Sequence, residues 1–125
     1  FLGVGKYRAF PISGDSMTPN VKDGSYVIGE YVEHLTQLKN GKTYVVLTKD
    51  DGIVYKRVHQ GIKSIELHSD NKFYDPYTVS LHEIIEMWEF RAAINVEDLE
   101  PDEVTNEQLL ETIMALKNQQ IKPND

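Results

Sequence analysis

Ser16 and Lys56 are the two side chains whose types, surroundings and spacing point to chemistry. Ser16 stands in Gly14-Asp15-Ser16-Met17-Thr18-Pro19, a run closed by Asp23-Gly24, and Lys56 stands in Val54-Tyr55-Lys56-Arg57-Val58. A serine hydroxyl is a poor nucleophile at neutral pH and attacks only when a neighbouring base takes its proton. The chain contains no G-x-S-x-G, and its four histidines (34, 59, 68 and 82) fall in no recognised triad motif. A Ser/His/Asp arrangement therefore has little support. Lysine is the other base on offer. Its unperturbed pKa lies near ~10.4, so it serves only where apolar surroundings or nearby positive charge keep part of it neutral. Strand alternation puts Val54, Lys56 and Val58 on one face, which predicts a lysine among apolar neighbours and partly stripped of water.

The elements that must hold this pair read mostly as strand. Tyr7 to Ser13 enters as a strand, Gly14 permits a sharp turn, and Ser16 to Asn20 form a short helical turn ended near Asp23-Gly24. That places the hydroxyl at a turn and outside any ladder. Ser25 to Tyr31 is the next strand, and Gln37 to Lys42 is a loop turning at Asn40-Gly41. Thr43 to Thr48 and Ile53 to Val58 flank Lys49-Asp50-Asp51-Gly52, a strong hairpin signal that seats Lys56 on a strand. Ser64 to His68 is a further short strand, and Ser69 to Pro76 a polar excursion. Ile84, Ile85, Trp88, Phe90 and Ile94 suit a final strand over 84–94, with a helix over 81–87 as the alternative. The sum is a mainly β chain, a compact and strongly bent antiparallel sheet in place of a parallel βαβ array.

The end of the chain has a different period. Residues 96–104 read as an acidic, solvated linker. Thr105 as N-cap with Gln108 three positions on has the capping-box form. Leu109, Leu110, Ile113, Met114 and Leu116 then give an amphipathic α-helix over 105–119.

Composition bounds the partners. A chain of 125 residues supports one domain with one main core. Absence of cysteine excludes disulfides, thiol nucleophiles and thiolate metal sites, and fits a reducing, cytoplasmic setting. No apolar run approaches the length of a membrane span. The net charge of −7 opposes attraction to phosphate backbones, so these residues are not expected to hold DNA directly. The histidines lack paired metal-ligand spacing and no cofactor motif is present, so neither a metal nor a cofactor is expected. Met17 reads as a buried hydrophobe beside the turn, and Asp23-Gly24 as the completion of that turn.

In order, Ile12-Ser13-Gly14-Asp15-Ser16-Met17-Thr18-Pro19, Val21-x-Asp23-Gly24-Ser25-Tyr26-Val27-Ile28, Asn40-Gly41-Lys42, Val54-Tyr55-Lys56-Arg57-Val58 and Leu67-x-Ser69-Asp70-Asn71-x-x-Tyr74-x-Pro76 resemble the C-terminal domain of the LexA and phage repressor family, peptidase family S24. The resemblance runs over about residues 7–94 and ends weakly at Trp88-Glu89-Phe90-Arg91. It implies Ser16 as nucleophile, Lys56 as general base, and backbone N–H groups of the turn at Gly14, Asp15, Ser16 and Met17 as support for the turn and the oxyanion. It favours the strand reading over 84–94 and a fold like that of LexA and the signal peptidases. It also implies residues 1–95 as a regulatory, peptidase-like domain of a repressor. Such domains cut their own linker, often under a RecA-like filament in the SOS response, and form homodimers. An N-terminal helix-turn-helix DNA-binding domain is expected upstream; family members that cut themselves do so at a small-residue–Gly bond, and the fifteen residues before Ser16 supply none, Leu2-Gly3 and Val4-Gly5 being the nearest pairs. The alternatives are a catalytically silent dimerisation or ligand-sensing module and, with less support, a peptidase acting in trans.

Overall fold

The computed structural model describes residues 6–95. Seven strands among them form one antiparallel sheet: β1 (Tyr7–Pro11), β2 (Ser25–Tyr31), β3 (Thr43–Thr48), β4 (Gly52–Gln60), β5 (Ser64–His68), β6 (Tyr77–Ser80) and β7 (Ile84–Asn95). Their spatial order is β1-β2-β7-β3-β4-β5-β6, so the last strand in sequence lies inside the sheet, between β2 and β3, and β1 is an edge. The mainly β, antiparallel expectation holds. The helix alternative over 81–87 reduces to a single 3-10 turn, Leu81–Glu83, before β7 begins. The acidic linker 96–104 and the amphipathic helix 105–119 lie outside the described residues.

Burial on both faces explains why the middle strands read as continuous apolar runs. In β3, Tyr44, Val45 and Val46 are all fully buried. Side chains two apart share a face. Tyr44 and Val46 accordingly enter a core with Val58, Ile65, Leu67 and Met87, while Val45 enters a second core with Phe10, Met17, Val27, Tyr55 and Trp88. β7 divides in the same way, sending Met87 to one core and Trp88 to the other. Each large apolar side chain so buried contributes about 1.5–3 kcal/mol. Trp88 meets Phe10 and Tyr31 edge-on, with centroids 5.4 and 5.2 Å away, a favoured geometry for aromatic rings.

Two features set the bend and the hairpin. Between Ile28 and Gly29 the β2–β7 register slips, and a Cβ at Gly29 would stand 2.7 Å from Trp88 Cβ. Only glycine lets the two backbones approach that closely. The β3–β4 hairpin turns through Lys49, Asp50 and Asp51, where Thr48 Oγ1 accepts the Asp51 N–H at 2.9 Å. Val46 pairs with Val54 and Tyr44 with Lys56 across it. β6 was not foreseen in the sequence; of its four residues only Val79 is buried, and a strand that short shows almost no alternation.

Candidate active site

The serine turn is held from two sides. Within it, Gly14 adopts φ +87° and donates its N–H to Asp23 Oδ1 at 2.7 Å. Thr18 donates its N–H and its hydroxyl to the Asp15 carbonyl, at 3.2 and 2.9 Å, and Val21 N–H reaches the Met17 carbonyl at 2.9 Å. Met17, 2% exposed, plugs the turn into the Phe10–Trp88 core. Because the N–H groups of Gly14 and Thr18 are engaged inside the turn, Gly14 serves its shape, and the turn's described hydrogen bonds leave over the N–H groups of Asp15, Ser16 and Met17.

The second support comes from the loop after β5. Asn71 donates its N–H to the Ser16 carbonyl at 2.9 Å and its side-chain amide to the Asp15 carbonyl at 3.0 Å. Tyr74 donates its hydroxyl to Asp15 Oδ1 at 2.5 Å, which raises the tyrosine pKa. Asp70 N–H points at Met17 Sδ, 3.4 Å away, a weak bond. Asp70 itself is gripped by Arg57, whose Nε and Nη2 reach its two carboxylate oxygens at 2.8 Å each. Asn20 adds a third donor to that carboxylate at 2.7 Å, and Arg57 Nη1 also reaches the Gly41 carbonyl at 2.7 Å. Arg57 and Asn20 together hold the Asp70 carboxyl below the usual carboxylate range.

Lys56 sits half-buried in the middle of β4. Its Nζ donates to Ser69 Oγ at 2.8 Å and lies 5.8 Å from the centroid of the Tyr74 ring, within cation–π reach. Burial pushes its pKa down from the ordinary lysine value, because the charged form loses hydration. Ser16 and Lys56 line one cleft of about 270 Å³, walled by Phe10, Pro11, Ile12 and Ile53. The structure thus brings the two predicted residues together across 40 positions of sequence. The ammonium hydrogen bond described for Lys56 goes to Ser69, however, and none joins it to Ser16.

A family model described as Peptidase S24-like matches residues 4–88. The chain belongs to that family. A comparison with curated proteins found no match. The S24 match spans both the Ser16 turn and the Lys56 strand and stops within β7.

Ser69, Asp70, Asn71 and Tyr74 are the S24-domain residues whose tasks the sequence left unassigned. All four belong to the run Leu67-x-Ser69-Asp70-Asn71-x-x-Tyr74, so the signal was present, but nothing local ties that run to a turn more than 50 positions earlier. The histidines stay apart from the cleft. His59 and His68 meet edge-on on β4 and β5 with centroids 4.7 Å apart, and His68 Nε2 lies 3.0 Å from Glu66. Among the described residues no group of three His, Asp or Glu is placed to hold a metal ion, and no helix is long and apolar enough to cross a membrane. A larger cleft, about 470 Å³, lies between β2, β7 and the Leu35–Gln37 turn. Within it Arg91 pairs with Glu30 and Glu89, Lys39 pairs with Glu89, and Lys6 Nζ stands 4.8 Å from the centroid of the Tyr31 ring.

Proposed function

We propose that this domain is a Ser-Lys peptidase that cuts its own chain's linker, and that it serves as the regulatory and self-associating domain of a transcriptional repressor. One observation carries the catalytic half: Ser16 and a half-buried Lys56 of lowered pKa line the same cleft. Neutral Lys56 accepts the Ser16 proton as Oγ attacks a peptide carbonyl, and the protonated lysine returns a proton to the leaving amine. Water then releases the acyl group from Ser16. The N–H groups of Ser16 and Met17 are the donors for the tetrahedral oxygen, each worth about 3 kcal/mol where well aligned. In this reading Ser69 and Tyr74 hold the lysine chain at rest, and Lys56 Nζ moves from Ser69 towards Ser16 when a peptide enters.

Membership of the S24 family supports the repressor half, with an upstream helix-turn-helix domain, a homodimer and a RecA-like filament as partners. A second reading, a silent dimerisation or sensing module, draws on the Lys56–Ser69 bond, since a lysine committed to Ser69 activates nothing. A gel time course on the full-length protein separates the two. Cleavage is expected to rise from pH ~7 towards ~10 as the neutral fraction of the lysine grows. It should vanish in Ser16→Ala and in Lys56→Arg, whose guanidinium stays charged. Equal cleavage in Ser16→Ala, or none at alkaline pH in a protein with a susceptible linker, leaves the silent module.

A further inference from the structure

Lys56 is approached from two sides. On the cleft side is Ser16, and among the described residues lining that cleft the other cation is Arg8 on β1, with no carboxylate. On the other side is the loop after β5, which brings Ser69 and Tyr74 to the lysine without lining the cleft. The acids of the surrounding elements are turned to other partners. Asp70 goes to Arg57 and Asn20, Asp15 to the Tyr74 hydroxyl, and Asp23 to the Gly14 N–H, while Lys72 is exposed and acts on Asp70. The described partners of the Lys56 ammonium are therefore one neutral hydroxyl and one aromatic ring.

The loop itself is fastened without the Tyr74 side chain. Asn71 bonds the Ser16 and Asp15 carbonyls, and Arg57 grips Asp70. What the Tyr74 side chain adds is a hydroxyl bonded to Asp15 Oδ1 at 2.5 Å and a ring centroid 5.8 Å from Lys56 Nζ. One residue thus joins the turn of the candidate nucleophile to the candidate base. The face of an aromatic ring attracts a cation through its quadrupole, and a phenol that donates to a carboxylate is polarised so that its ring is richer in electrons. Burial of Lys56 works the opposite way and favours the neutral amine.

We propose that Tyr74 is a positioning residue that governs the charge of Lys56: Asp15 locks the phenol, and the locked ring holds the ammonium form on the loop side, away from Ser16. When a peptide enters and the Asp15–Tyr74 bond opens, the ammonium loses its ring, gives its proton to solvent more readily, and frees Nζ for Ser16 Oγ. The turn that carries the nucleophile then also controls the base, a consequence that rests on the peptidase reading above.

Tyr74 is 46% exposed, which puts the attraction at the low end for such pairs. Losing the ring should change the amine-to-ammonium ratio of Lys56 about threefold, a titration midpoint lower by about 0.5. The test follows the Lys56 side-chain NMR signals, assigned with Lys56→Arg, through a pH titration of the full chain. Tyr74→Leu keeps an apolar cover without a π face, and its midpoint should fall by the full amount. Tyr74→Phe keeps the ring, releases Asp15, and should fall by less. The amide signals of Ser16 and Asn71 report that the loop stays on the turn in both variants. A midpoint unmoved in either variant overturns the proposal. So does a rise in Tyr74→Leu, which means that the ring acts only by excluding water. Self-cleavage of full-length Tyr74→Leu should be about threefold faster at pH ~7, its pH–rate curve moved to lower pH. A rate reduced equally at every pH marks a merely structural role and also overturns the proposal. The titration needs no turnover. If Ser16 proves unreactive while the lysine midpoint moves, the peptidase reading falls and the role of Tyr74 stands; if cleavage proceeds while the midpoint stays, the reverse holds.

Discussion

Replacing Asp70 by Asn is the most direct test of how the loop after β5 is fastened. Asp70 accepts two hydrogen bonds from Arg57, both 2.8 Å, and one from Asn20 at 2.7 Å. Its side chain is 10% exposed and that of Arg57 35%. Charge-assisted bonds of this kind contribute about 1.5–3 kcal/mol each when dry. Water competes at the guanidinium, so the pair is worth about 1–2 kcal/mol in total, above the ~0–1 of an ordinary surface bridge. Asp70→Asn should lower the melting temperature by on the order of 5–10 °C. The pH dependence has a definite sign. The folded Asp70 pKa lies below its unfolded value of ~3.9, so the contribution is fully present above that value and is lost as pH falls through the folded pKa. The gap between wild type and Asp70→Asn should be constant from pH ~5 to ~7 and should close in acid. Chemical denaturation of Asp70→Asn, Arg57→Gln and the double variant gives the coupling directly. A coupling under about 0.3 kcal/mol, or a gap that stays unchanged into acid, refutes the reasoning.

Ser69→Ala removes the acceptor of the Lys56 ammonium from a buried position. The lysine titration followed by NMR should move to lower pH, because the charged form loses its hydrogen bond, and an unmoved titration means that the bond carries no weight. Gly29→Ala forces a Cβ to within 2.7 Å of Trp88 Cβ. It should cost about 1–3 kcal/mol by thermal melting, whereas a neutral result would show that β2 and β7 can part without penalty.

Much of the fold was legible because strands write a local signal. The strand-forming run Ser25–Tyr31, the alternation in Ser64–His68, the Lys49–Gly52 turn and the glycine at the head of the serine turn all act over a few residues, and each lies where it was expected. The same holds for the candidate site's two ends. Ser16 on a turn and Lys56 on a strand, with Val54 and Val58 sharing its face of the sheet, follow from residue type and periodicity. Tertiary structure decided the rest. It put β7 between β2 and β3, left β1 at the edge, gave Lys56 to Ser69, and tied the Ser16 turn to Asn71 and Tyr74. Strand order and cross-loop hydrogen bonds depend on which distant backbones and side chains meet once both faces of the sheet are covered. A period of two says which side a residue faces, and never which strand will lie beside it.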